Sequence, residues 1–209
     1  GGLSASACLD LGKIQSLGLS AAKASLSYQS KSLKGSVTVT HDGEKDVNSI
    51  TAKVSGAGAL GHATTVDGKG DAVIRDDGTM SLSASGGLSS TLGGQKTRAE
   101  GSYSQSSKDG EVTQERVTGK VRFGDGGEYR EYTGYFDRVD NTFELKDIQV
   151  TNDGATSLTE GVSRDASGNM LGSRELAHTF SAGHTLGLRD QVSSAGTGQS
   201  VSYRAEDQG

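Results

Sequence analysis

The 209-residue chain contains no proline, no tryptophan and one cysteine, Cys8. At a usual frequency of about 5 %, some ten prolines would be present. Their absence excludes collagen-like and PxxP segments. It suits strands paired along both edges, because proline donates no hydrogen bond to a sheet ladder. A single cysteine excludes an internal disulfide framework. Apolar side chains make up 32 % and aromatic residues 5 % of the chain, and it is glycine that supplies much of the rest of the roughly 45–50 % apolar content, glycine included, of ordinary globular domains. No run approaches the 18 apolar residues of a membrane helix, so no transmembrane segment is expected. The net charge is −5, with Lys and Arg alternating with Asp and Glu. No basic face for phosphate backbones emerges, and no nucleic-acid partner is expected.

What is present is glycine, 32 residues of it, and a period of two. Ala24-Leu26-Tyr28, Val37-Val39, Ile50-Ala52-Val54, Met80-Leu82-Ala84, Val121-Phe123 and Phe143-Leu145 each alternate with other, mostly polar residues, the pattern of strands with one apolar face. Asp-Gly pairs punctuate the runs at Asp42-Gly43, Asp67-Gly68, Asp77-Gly78, Asp109-Gly110, Asp125-Gly126 and Asp153-Gly154. Both residue types tolerate the positive φ of tight hairpins, so each pair reads as a turn. The predicted fold is all-β, an antiparallel meander forming a sandwich or barrel-like sheet with at most one or two short helices. Residues 1–35 read as an N-terminal arm or short helix, 36–192 as the β-rich domain, and 193–209 as a polar tail or edge strand. The stretch from Gly2 to Cys8 has the small-residue character of a signal-cleavage region. Aromatic residues concentrate between Val112 and Val150, where the best-packed core is expected.

Motifs that carry chemistry are sparse. Gly56-Ala57-Gly58-Ala59-Leu60-Gly61 matches G-x-G-x-x-G but precedes no helical pattern, and reads as a turn. The acidic turns Arg75-Asp76-Asp77-Gly78 and Gly124-Asp125-Gly126-Gly127 lack the spaced carboxylates of a calcium loop. No G-x-S-x-G is present, and no cofactor is expected. The stretch Gly183-His184-Thr185-Leu186-Gly187-Leu188-Arg189-Asp190 resembles the part of the metzincin zinc-protease pattern that follows its central histidine. The resemblance covers about eight residues and implies His184 as second zinc ligand on a helix and, beyond the glycine that lets the chain turn, Asp190 as third. Phe180 stands where the first ligand belongs, and Ser181 where the base belongs. The other reading of this region is a short amphipathic helix capped by Ser173, with Leu176 and Phe180 on one face.

Three functions are compatible with these features. The leading expectation is a secreted or cell-surface structural protein (an adhesin, matrix or filament subunit) that self-associates through strand edges, with a second copy of the chain as partner. This rests on the thin apolar content, which buries little surface at about 25 cal/mol per Å². A ligand-binding β-barrel or sandwich, with the aromatic block contacting a surface or carbohydrate ligand, is the alternative. A degenerate metzincin relative is the third, and no enzymatic activity is expected.

Overall fold

A computed structural model describes residues 2–10, 21–43, 46–60, 63–92, 94–151, 154–180 and 184–205. Every element is a strand: β1 (Gly2–Asp10), β2 (Ala21–Gln29), β3 (Leu33–Asp42), β4 (Val47–Ala59), β5 (Thr64–Arg75), β6 (Thr79–Leu92), β7 (Gln95–Lys108), β8 (Glu111–Asp125), β9 (Glu128–Asp137), β10 (Thr142–Thr151), β11 (Thr156–Arg164), β12 (Met170–Thr179), β13 (His184–Ser193) and β14 (Gly196–Ala205). They form one sheet in which each strand is hydrogen-bonded to its sequence neighbours, in the order β1 to β14. The fold is therefore the expected all-β antiparallel meander, with no helix among the described residues. Contacts divide the chain into two compact units: Gly1–Gly87 with Ser102–Glu115, and Leu88–Gly101 with Arg116–Gly209.

Several local expectations are corrected. Within residues 1–35, expected as an arm or short helix, 2–10 and 21–29 are strands, and β2 is paired to both β1 and β3. Of residues 193–209, expected as a polar tail or edge strand, 196–205 form β14, the last strand in the sheet order. Residues 170–179 form β12 rather than a helix capped by Ser173. There Leu171, Ser173, Glu175 and Ala177 share one face while Gly172, Arg174, Leu176 and His178 share the other, and ladder hydrogen bonds to β11 and β13 override any helical preference. Asp67-Gly68 lies inside β5 and not in a turn, because alternation continues unbroken through it and Gly68 pairs with Gly56. Gly56–Ala59 likewise ends β4.

The remaining Asp-Gly pairs close hairpins where they are described. Asp109 (φ 52°) and Gly110 (φ 84°) both take positive φ between β7 and β8, as a two-residue hairpin matched to strand twist requires. Gly78 (φ 81°) turns β5 into β6, and a Cβ there would collide with the Asp109 carboxylate. Asp42 ends β3 and Gly43 starts its turn, with Asp46 supplying the positive φ (51°). Asp125-Gly126 joins β8 to β9, Gly126 at φ 61°. Gly154 is at φ 89°, and Asp153 lies outside the described residues.

Turn carboxylates lock these corners. The Asp77 side chain accepts hydrogen bonds from the Thr79 hydroxyl (2.6 Å) and backbone N–H (2.9 Å), and these hold its pKa below the usual carboxylate range. A lowered folded-state pKa stabilises the fold above the unfolded value, and the effect is lost as pH falls through the folded one. The Thr79 amide is therefore expected to lose exchange protection on acidification below the usual carboxylate range, and Asp77→Asn is expected to flatten that dependence. Gly110→Val is expected to destabilise by about 1–3 kcal/mol, the penalty for a β-branched residue at positive φ. Gly58→Val, where φ is ordinary and a Cβ meets nothing within 4 Å, is expected to be neutral. Urea unfolding followed by circular dichroism distinguishes the two.

Candidate functional site

Alternation sorts the side chains of each unit onto two unlike faces. In the first unit, strand pairing aligns Ala5, Leu26, Val37 and Ala52 across β1–β4, and Val39, Ile50 and Ile74 across β3–β5. The opposite face carries Ser25, Thr38 and Thr51, with Ser27, Ser36, Lys53 and Asp71 in the next row. Val47, Ala57, Ala59 and Val73 are apolar exceptions on that face. The apolar face is not the buried one: Leu26, Val37, Val39, Ile50, Val54 and Ile74 are all about half exposed.

The second unit has the same polarity. Val117, Phe136 and Phe143 align on one face, as do Leu145, Val162 and Val192, and Leu158, Leu176, Leu188 and Val201. Among the described residues 28 large hydrophobic side chains are exposed, and Val150 is the one buried hydrophobic side chain. The two buried charged or polar residues, Glu131 (7 % exposed) and Asp137 (2 %), stand on the opposite face. Among the described residues the block from Val112 to Val150 does hold the buried side chains, but two of the three, Glu131 and Asp137, are charged. Phe123, Tyr132 and Phe136 are exposed, since odd positions of β8 and even positions of β9 point away from the buried side.

The polar face of β8 and β9 is a ladder of paired charges. Asp137 accepts from Arg116 Nε (3.3 Å) and from the backbone N–H groups of Val139 (3.1 Å) and Asp140 (3.3 Å). Glu131 accepts from Arg122 Nε at 2.8 Å, with Lys120 Nζ at 3.2 Å. Arg116 stacks 4.6 Å above Tyr135 and Arg122 3.8 Å above Tyr129. Neither carboxylate is left unpaired, which is what makes its burial tolerable. The sequence did not mark these charges as buried, because alternation alone does not say which face is covered.

On the apolar face of the second unit, Gly119 faces Gly134 and Gly172 lies two strands beyond Leu145. Missing side chains there open a groove of about 1190 Å³, lined by Val117, Tyr132, Phe136, Phe143, Leu145 and Val162 among others. Gly134 cannot be replaced without displacement, since a Cβ would meet the Leu145 side chain at 2.7 Å. Along the groove, pairing aligns Tyr132, Asp147, Glu160, Arg174 and Asp190. Arg130 forms a two-pronged bond to Asp147 (3.0 and 2.5 Å), and Arg174 Nε lies 3.2 Å from Glu160.

His184 and Asp190, the residues suggested by the metzincin resemblance, lie on one strand, β13. Six residues of extended chain separate them by about 20 Å, so the structure does not bring them together. His184 Nδ1 is 2.6 Å from the Tyr203 hydroxyl, the two rings stacked 5.8 Å apart, while Asp190 faces Arg174 across the ladder. The helix implied by the resemblance is replaced by strands β12 and β13. Among the described residues no group of three or more His, Cys, Asp or Glu side chains is placed to hold a metal. No described helix is long and apolar enough to cross a membrane.

No protein-family model and no curated protein matches the chain. Among solved structures it is similar to a KdgM porin in complex with disordered oligogalacturonate, at 8 % identity and a TM-score of 0.29, over 89 % of this chain and 91 % of that one.

Removing the Asp137 carboxylate strands Arg116 and two backbone N–H groups. Asp137→Ala is expected to destabilise by about 1–3 kcal/mol, discounted for the partial exposure of Arg116. Arg116→Met, which keeps the stem over Tyr135, is expected to be the milder change; the urea midpoints of both variants check this order.

Proposed function

We propose that the chain is a membrane-inserted β-sheet protein of the outer-membrane barrel kind, its apolar face against lipid hydrocarbon and its polar face lining a passage for polar solutes. The observation that carries this reading is the inverted polarity: exposed aliphatic and aromatic side chains on one face, buried and paired carboxylates on the other. Burying a large apolar side chain is worth about 1.5–3 kcal/mol. Leaving 28 of them exposed therefore forgoes a few tens of kcal/mol in water, more than the whole 5–15 kcal/mol stability of an ordinary domain. A hydrocarbon solvent removes the conflict. Strands of 9–15 residues reach the roughly 9–11 residues needed for a tilted crossing. Phe136, Phe143 and Met170 near one end of the strands, and Phe180, Tyr203 and His184 near the other, suit the interfacial belts of such proteins.

The row of charges on the apolar face is tolerated in lipid through pairing, Arg130 with Asp147 and Arg174 with Glu160, with Asp190 standing opposite Arg174 in the ladder. It also runs across the strands, so in a sheet tilted by about 40° it crosses the hydrocarbon obliquely and does not sit wholly at the midplane. The earlier expectation of no transmembrane segment rested on helical hydropathy and does not bear on strands. A cell-surface location fits this reading, no catalytic role is assigned, and the His184–Asp190 stretch is given none. A second reading, favoured by the groove and its rim of Asp147, Glu160, Arg174 and Asp190, is a water-facing site for a carbohydrate, with Tyr132 and Phe136 as stacking surfaces. Self-association through strand edges, as in a secreted structural subunit, is the third outcome.

The chain has no tryptophan, so single probes report cleanly. Val54→Trp and Leu188→Trp, on the apolar face, are expected to be strongly quenched in vesicles of brominated phosphatidylcholine. Thr51→Trp and Thr159→Trp, on the polar face, are expected to stay bright. A monodisperse folded chain in lipid-free buffer, with no quenching at Val54→Trp or Leu188→Trp, would overturn the membrane reading. Perturbation of a Tyr132→Trp probe by saccharides in that buffer would favour the groove, and concentration-dependent polymers would favour self-association.

A further inference from the structure

The polar face of the first unit carries an unassigned cluster of cations. Lys34 on β3 stands opposite Ser55 on β4, which stands opposite Lys69 on β5. In the next row Lys53 stands between Ser36 and Asp71. Directly opposed residues lie about 5 Å apart and diagonal ones about 7–8 Å, so four-carbon lysine stems bring three ammonium groups within reach of one point. They line a pocket of about 400 Å³ together with Ser27, Gln29 and Ser36. Neither the three lysines nor Asp71, the one carboxylate in that lining, takes part in any ion pair among the described residues. The other unit pairs its polar-face cations Arg116, Lys120 and Arg122 with buried carboxylates; here the pocket lining sums to about +2, with Asp67 one row beyond Lys69 on the same face, in a chain of net −5.

The geometry points to a binding site for the phosphoryl group of a polar phosphate monoester, such as a sugar phosphate. Lysines act as mobile point charges suited to a compact dianion, whereas flat, forked recognition of a carboxylate is the work of arginine, and none lines the pocket. The volume falls within the range of small-ligand sites, about 300–1,000 Å³, and exceeds what one phosphoryl group fills. The hydroxyls of Ser27, Ser36 and Ser55 and the amide of Gln29 offer hydrogen bonds to a polyol. The site lies on the polar face and stands whether or not lipid covers the other.

Calorimetric titration of the full chain, folded in detergent micelles, tests this with glucose 6-phosphate against glucose. One saturable glucose 6-phosphate per chain is expected, with glucose not binding and affinity falling as salt is raised to about 0.5 M. Lys53→Gln and Lys69→Gln are each expected to weaken binding by about threefold or more, with the circular dichroism spectrum unchanged. Lys23→Gln, on the same face of β2 but outside the pocket, is expected to leave it unaltered. Absence of saturable binding, equal binding of glucose, or an equal loss in Lys23→Gln would each overturn the assignment.

Discussion

Segregation of side chains by the pleat of the sheet is the constraint on which everything else in this protein depends. With a period of two, slipping any strand by one residue would carry its apolar set to the opposite face. Leu26 would then face Ser36 or Thr38 instead of Val37. Register is held at the corners, where Asp109-Gly110 allows one tight geometry and the Asp77 carboxylate fixes Thr79. Short-range turn chemistry thus decides, strand by strand, which side chains meet which solvent.

The consequence is an arrangement opposite to that of a soluble sandwich. In a sandwich the apolar faces of two sheets cover one another. Here the groups most completely withdrawn from solvent are Asp137 and Glu131, held by Arg116, Arg122 and Lys120. A buried carboxylate with fixed donors is a poor source of net stability but an exacting one of geometry. Arg116 and Arg122 are each tied to an acid and stacked on a tyrosine, which orients their guanidinium groups on the polar face. Under the proposed reading of this face as the lining of a passage, its order before any solute arrives lowers the entropic cost of recognising one.

The fold was legible in the sequence because alternation and Asp-Gly turns are local signals. Ile50-Ala52-Val54 and Met80-Leu82-Ala84 announced strands, and Asp109-Gly110 announced its hairpin. Asp67-Gly68 misled because the same dipeptide also occurs within a strand, where only the continuation of the alternation beyond it distinguishes the two cases. The stretch around His184 misled because a spacing meaningful on a helix was read without a helix to carry it. The cluster of Lys34, Lys53 and Lys69 was invisible for another reason. The three residues come from three strands, and only the registers of β3 with β4 and of β4 with β5 bring them together. Sequence alone could not say which of the two faces is covered, since periodicity names the faces but not their solvents.

That last ambiguity also explains how the thin apolar content should be read. Treated as the inside of a water-soluble domain, 32 % apolar residues buries too little surface and calls for a partner to complete the core. Under the proposed membrane reading no core is required: each strand needs only one apolar side chain in two, and small residues such as Gly35, Ala52 and Ala72 are tolerated where lipid chains can conform to them. Hydrocarbon imposes a different demand, that every backbone N–H and C=O be paired within the sheet. A proline anywhere in a spanning strand would leave a ladder position without a donor. The complete absence of proline and the short alternating runs then both suit one requirement, strands whose backbone can pair on either side in a solvent that offers it no hydrogen bonds.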